Sequence, residues 1–405
     1  MTASVATRVA WEEQVVDDAG RAGASGPLRG FRIIELAGIG PAPYAAMLLS
    51  DLGADVIRVE RTDAAARAGS AVPGDIVNRG RRSVAVDLKT PAGTALVLDL
   101  VSRADALLDP YRPGAAERLG VGPDACLARR PELVYGRMTG WGQDGPLARH
   151  AGHDINYVAL AGALAHIGRA GQPPVPPLNL VGDMGGGGLF LAFGVVCGLL
   201  EARRTGRGQV VDTAMIDGVS SLMTIVWGYH AQGLYSLERG HNVIDSGAPF
   251  YDVYECADGK YVSIGPIEHR FYARLIDVLG LRLDDLPPRR DQDQWPAARE
   301  RLAAVFRERT RDEWCARLEG ERDICFAPVL DLAEAPQHPH HQARGTFADD
   351  GGIIQPAPAP RFSATPGAIQ RPPARPGEHT DEVLAEWLSL DGGALDRLRG
   401  QGTVA

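Results

Sequence analysis

Two side chains able to exchange protons stand thirty residues apart in the stretch from Ala151 to Ile216. One is His153, in Gly152-His153-Asp154-Ile155-Asn156-Tyr157; the other is Asp183, in Asn179-Leu180-Val181-Gly182-Asp183-Met184. An imidazole titrates near neutral pH without adjustment, whereas a carboxylate needs its pKa raised, for instance by burial. Four glycines, Gly185 to Gly188, follow Asp183; then come an apolar run, Leu189 to Leu200, and the stop Thr205-Gly206-Arg207-Gly208. This pattern predicts a helix with Asp183 near its N-cap, ending around Thr205. Glycine in a first turn costs roughly 1 kcal/mol per residue relative to Ala, so helix stability does not account for four. What they allow is approach of a ligand to backbone donors at the positive end of the helix. A carboxylate, a glycine-walled helix start and a histidine suit an acid/base site. Read locally, the same pattern also fits an Asp N-cap on a tightly packed core helix.

The elements around this stretch must belong to more than one ordinary core, because the chain has 405 residues. A hydrophobic content of 45% and a charged content of 23% are those of a soluble globular protein. A formal net charge of −9 argues against nucleic acid or an anionic membrane as the main partner, so a polyanionic ligand needs a local basic patch. Lys89 and Lys260 are the only lysines. With so strong a bias to arginine, an individual Arg reads first as solvated surface charge. The five cysteines are scattered without a C-x-x-C pair, which fits a reducing cytoplasm and neither a disulfide framework nor a zinc site. His338-Pro339-His340-His341 does not read as metal-binding, since proline breaks the helical spacing of a ligand pair. The run Leu189 to Leu200 is too short to span a bilayer. The start of the chain has no basic-then-apolar signal pattern and carries Glu12, Glu13, Asp17 and Asp18. A cytoplasmic protein with an N-terminal extension over residues 1–27 is expected.

From Leu28 onward, strands and helices alternate. Phe31–Leu36 and Ala54–Glu60 read as strands around a helix from Pro43 to Leu52, a βαβ unit and hence parallel strands. Its first turn, Ala37-Gly38-Ile39-Gly40-Pro41-Ala42-Pro43, fails as a dinucleotide fingerprint because Pro43 occupies the third glycine position. Further strands are expected at Ser83–Val86, Ala106–Leu108, Leu133–Tyr135 and Gln209–Asp212. Helices are expected at Pro91–Ser102 and from Ile216 to about Gln232. The fold class is α/β: a large doubly wound, Rossmann-like domain over 28–239. Near Gly240 the pattern changes to a hairpin, Tyr251 to Ile264, turning at Asp258-Gly259, then helices at Glu268–Leu279 and Trp295–Arg307. A smaller α+β domain is expected over 240–346. Residues 347–405 form an extended, proline-rich return ending in a helix, Thr380–Leu388, that packs on the large domain.

At this point a family resemblance emerges. Glu35-Leu36-Ala37-Gly38-Ile39-Gly40-Pro41, Gly140-Trp141-Gly142-Gln143-Asp144-Gly145-Pro146 and the segments around His153 and Asp183 resemble the α-methylacyl-CoA racemases. So does Tyr251-Asp252-Val253-Tyr254-Glu255-Cys256. These enzymes lie within the family III CoA transferases, the CaiB/BaiF superfamily. The likeness runs from about Leu28 to Pro372, and the order of its motifs is more specific than any one of them. It implies an interlocked homodimer whose active site lies between one subunit's large domain and the other's small domain. Carried over by position, His153 and Asp183 are the catalytic bases and Glu268 is the small-domain carboxylate supporting His153. CoA contacts map to Arg61, to Val86, Asp87, Leu88 and Lys89, to Tyr111, Arg112 and Arg118, and to Gly152, Asp154, Ile155, Asn156 and Tyr157. A glycine expected before Tyr111 is Pro110 here.

The chemistry implied is inversion of a 2-methylacyl-CoA thioester. One group removes the α-proton from one face and another delivers a proton to the opposite face, a role worth roughly 10²–10⁴-fold in rate. The enolate oxygen formed between these steps also needs stabilising, and a backbone N–H at the Asp183 helix start is expected to do this, worth about 3–4 kcal/mol. No metal or redox cofactor is expected, and CoA enters as part of the substrate. The competing expectation is a CoA transferase in which Asp183 is a nucleophile forming covalent intermediates. A non-catalytic CoA-binding protein is the more remote one.

Overall fold

The computed structural model describes residues 25–67 and 74–405. Most of the expected N-terminal extension therefore lies outside the described residues. Six strands form the main sheet: β1 (Arg32–Leu36), β2 (Asp55–Glu60), β3 (Arg82–Ala85), β4 (Ala106–Asp109), β5 (Val134–Thr139) and β6 (Gln209–Ala214). Their order is β3-β2-β1-β4-β5-β6, and every pairing is parallel. The chain runs outward from β1 to β3, then returns to β4 on the other side of β1. This reversal opens a crevice at the carboxyl ends of β1 and β4.

Side chains alternate across the sheet with the two-residue period of a strand. Ile34 and Leu36 face a layer that includes Leu96, Val97 and Leu100 of the helix Pro91–Val101. Ile33 faces the other layer, with Ala45 and Leu49 of the helix Pro41–Asp51 and Leu191, Val195 and Leu199 of Phe190–Thr205. Coverage on both faces explains why β3, β4 and β5 are buried throughout. The C-terminal helix Thr380–Leu388 adds Val383, Leu384 and Trp387 to the first layer. A further helix, Gly392–Gly400, and an antiparallel bridge between Val86 and Val404 were not read from the sequence.

The smaller unit has its own core. An antiparallel pair, Asp252–Glu255 and Tyr261–Ile264, is joined by a third strand, Phe326–Pro328. Helices His269–Val278, Trp295–Phe306 and Arg311–Leu318 pack on it. Gly259 takes a positive φ of 75° in the hairpin turn, a conformation glycine adopts without steric penalty.

Two helical expectations need correction. The stretch expected to be one helix from Ile216 to Gln232 is two, Met215–Leu222 and Thr224–Ala231, broken at Met223. Asp183 is not an N-cap either. The helix begins at Leu180, with Asn179 at its cap, and runs as a π-helix to Leu189 before continuing as the α-helix Phe190–Thr205. Gly206, at φ 69°, ends it. At 26 residues, Leu180–Thr205 is the one helical stretch among the described residues long and apolar enough to cross a membrane. Here one side of it packs on the sheet.

Candidate active site

Loops leaving β1, β4, β5 and β6 surround a cleft of about 270 Å³. Gly40 and Pro41 follow β1, Tyr111 and Arg112 follow β4, Gly140 and Trp141 follow β5, and Met215 follows β6. His153, Tyr157 and Asp183 complete the lining. The two candidate bases therefore meet in one cavity, at the switch point of the sheet.

Each is held by local structure. His153 precedes the helix Asp154–Leu160, and its backbone N–H donates to Asn156 Oδ1 at 3.0 Å, which fixes the entry of the chain. Its side-chain-bearing residue is exposed. Asp183 is half-buried, and its backbone N–H donates to Asp154 Oδ1 at 2.7 Å. Asn179 Nδ2 donates to Asp183 Oδ2 at 3.2 Å. Burial pushes the Asp183 carboxyl above the ordinary carboxylate range. The Asn179 hydrogen bond opposes this, the Asp154 charge adds to it, and His153 opposes it. A carboxyl moved in this direction is suited to proton exchange nearer neutral pH.

The glycines after Asp183 serve packing, which corrects the expectation that they open backbone donors to a ligand. A Cβ on Gly186 would lie 2.8 Å from Val219 N, and one on Gly188 would lie 2.6 Å from Pro41 O. On Gly218 it would lie 1.9 Å from Gly186 O, so Gly186 and Gly218 form a backbone-to-backbone crossing of two helices. The roughly 1 kcal/mol per glycine lost in helix propensity is offset by this close contact. The Asp183 N–H is likewise already engaged by Asp154, so it is not open to an enolate oxygen.

Glu268 stands apart from the pair. It is exposed at the cap of His269–Val278 in the smaller unit and does not line the cleft of its own chain. Its charge acts on Arg289 and Cys325.

The expected CoA contacts divide by position. Tyr111, Arg112, Gly152 and Tyr157 line the cleft. Pro110 packs where a Cβ on Gly38 would lie, 2.5 Å from its Cγ, and the Tyr111 N–H donates to Asp109 Oδ1 at 2.8 Å. Proline at 110 is thus accommodated by glycine at 38. Arg61 is exposed and pairs with Asp63 at 2.9 Å, and Arg112 and Arg118 are exposed. Val86 is buried and bridged to Val404, so its side chain is not open to a ligand; Leu88 is partly buried, and Lys89 is exposed. Asp154 is buried and occupied with Asp183, while Ile155 and Asn156 are exposed outside the cleft lining.

Several positioning residues were missed. Glu35 is fully buried and accepts from Arg81 Nε at 3.1 Å and from Arg58 Nη1. Arg58 Nη2 donates to Gly38 O and Arg81 Nη2 to Pro43 O, both at 3.0 Å, so the two arginines hold both ends of the loop under the cleft. A carboxylate inside the apolar strand Ile33-Ile34-Glu35-Leu36 was the available signal. Among the described residues, no group of three or more His, Cys, Asp or Glu is arranged to hold a metal ion.

The sequence profile of CoA-transferase family III matches residues 28–380, and the chain belongs to that family. It is 44% identical over 363 residues to the α-methylacyl-CoA racemase of Mus musculus, covering 89% of this chain and 93% of that one. Its identity to the human racemase is 42% over the same length and shares. The structure is similar to that of a CaiB/BaiF family protein from Brucella suis, with a TM-score of 0.76 and 27% identity. That match covers 90% of this chain and all of the other.

Proposed function

We propose that this chain is an α-methylacyl-CoA racemase, interconverting (R)- and (S)-2-methylacyl-CoA thioesters through an enolate. The observation that carries this is the meeting of His153 and Asp183 in one cleft, with burial raising the Asp183 carboxyl. Either group, unprotonated, removes the α-proton from its own face, and its electron pair moves into the thioester as the enolate. The other group, protonated, returns a proton to the opposite face. Each turnover leaves the pair in exchanged protonation states. Kinship with racemases at 42–44% identity supports this direction over acyl transfer.

The working unit in this reading is a homodimer. Glu268 does not line the cleft of its own chain, so in this reading Glu268 of the partner subunit supports His153. Exposed apolar side chains support the pairing. Leu189, Phe193 and Leu200 on the long helix, and Ile225, Trp227, Leu234 and Leu237 after it, are all more than half exposed in the single chain. A surface of this kind is covered by a second copy.

Incubating single enantiomers of 2-methylacyl-CoA with the enzyme in D₂O tests the reading. One α-deuterium should enter as configuration scrambles, and His153→Gln or Asp183→Asn should suppress racemisation with substrate binding retained. CoA transfer to a free acid with hydroxylamine-trappable Asp183, and no α-exchange, would assign the chain to the transferases instead.

A further inference from the structure

The enolate formed between the two bases needs a hydrogen-bond donor at its oxygen, and the donor expected from the helix start is already used. The Asp183 N–H is bound to Asp154, itself buried. The cleft contains another donor. Tyr157 lines it, its ring is buried, and its hydroxyl oxygen is open to the cavity without a hydrogen bond to any described residue.

The surroundings of this ring fix where the hydroxyl can be. Trp141 meets it edge-on, with centroids 4.7 Å apart at 80°. A Cβ on Gly140 would lie 2.3 Å from the Tyr157 oxygen, and one on Gly152 would lie 3.0 Å from it. Both positions are glycine, so the backbone on either side of the phenol tip comes close enough to leave it no lateral freedom. One of these glycines follows β5 and the other immediately precedes His153. The hydroxyl is thus fixed relative to the backbone that carries one base, within electrostatic range of the other. Preorganised donors of this kind stabilise charge without rearranging during reaction.

We propose that Tyr157 is a further catalytic residue, donating its hydroxyl hydrogen bond to the thioester oxygen as negative charge develops there. The assignment rests on the racemase reading and deepens it. The phenol gives no proton away: the base takes the α-proton, the electron pair moves onto the thioester oxygen, and the O–H bond stays intact. Burial, reinforced by the Asp183 charge and opposed by Arg112, pushes the phenol upward, so it remains protonated at the pH where the bases work. Phenylalanine would keep the ring, its contact with Trp141 and the packing between the glycines, and would remove only the donor.

The test compares wild-type enzyme with Tyr157→Phe in the same α-deuterium exchange assay, with acyl-CoA dissociation constants and melting temperatures measured alongside. The expected result is a fall in kcat of about 10²-fold, as for loss of one oxyanion donor, with KM within about threefold and the fold unchanged. A CoA thioether carrying a nitronate, which mimics the planar enolate, should bind the variant at least tenfold more weakly than wild type. Exchange within threefold of wild type, equal nitronate affinity, or a raised KM at unchanged kcat would each overturn the assignment. If the wild-type enzyme exchanges no α-proton of any branched acyl-CoA, the racemase reading itself falls, and this outcome is distinct from a normal wild type with an unaffected variant.

Discussion

The two units place their polar groups differently. Around the main sheet, charges are buried or nearly so: Glu35 with Arg81 and the largely buried Arg58, and Asp51 with Arg79 at 2.6 Å. Asp109 is buried too, and burial pushes its carboxyl up. The smaller unit also buries Asp252, paired with Arg299, and Arg311, paired with Glu334, but its core is filled with rings. Phe250, Tyr254, Tyr272, Trp295, Phe306 and Trp314 form its centre, with Tyr254 stacked on Phe306 at 5.1 Å. Aromatic packing stabilises without desolvating charge. Buried ion pairs contribute little net stability, because desolvation offsets the attraction. The large unit's buried charges do something else: they hold the chain at the carboxyl ends of the strands. Arg58 and Arg81 bind the loop after β1, and Asp109 binds the turn after β4. The lesson is that the charges buried in the large unit position the loops that shape the cleft.

The largest effect that would sharpen this contrast is at the cleft itself. Asp183→Asn should lower α-proton exchange by about 10²–10⁴-fold without destabilising the protein. The sign follows from the raised carboxyl. The folded state holds that proton more tightly than the unfolded state, so ionising Asp183 weakens the fold as pH rises through the carboxylate range. The variant should therefore melt about 1–2 °C above wild type at pH 7, and the gap should close by pH 3, where both are neutral. A variant that melts lower at pH 7 would contradict the cause assigned here.

Glu35→Gln comes next. It leaves two guanidinium groups buried with a weakened partner, a loss of about 3–5 kcal/mol, read by denaturant unfolding. Because both arginines hold the loop under the cleft, residual activity should fall as well. In the smaller unit, Phe306→Leu should cost about 1–3 kcal/mol and leave kcat at wild-type level, since Phe306 packs in its own core. If its kcat fell as far as that of Glu35→Gln, the separation of roles between the units would not hold.

The smallest change is expected at Arg61. Its pair with Asp63 is solvent-exposed, so Arg61→Ala should alter stability by less than about 0.5 kcal/mol. As a nucleotide contact it should raise KM severalfold with little change in kcat. An unchanged KM would return Arg61 to the solvated surface arginines that the composition leads one to expect.

The strands and the parallel, doubly wound fold class were legible because apolar runs, glycine stops and the βαβ rhythm are local signals, whereas the strand order came only from the structure. Six strand positions could be read to within four residues at each end, and the helix Thr380–Leu388 was read to its ends. The residue types at 153 and 183 were legible for the same reason. What the sequence by itself determined was thus the elements and the chemistry available to them. Tertiary structure decided how each group is used. Gly186 reads, with its glycine neighbours, as opening backbone donors to a ligand, yet it is a contact between helices with Gly218. Asp154 counts as a ligand contact by its place in a motif, yet its carboxylate is turned inward onto the Asp183 backbone. The π-helical opening after Asn179 depends on what packs beside it, including Pro41 and the helix Met215–Leu222. Such outcomes depend on groups distant in the chain, and a pattern of neighbours along the sequence does not contain the distances between them.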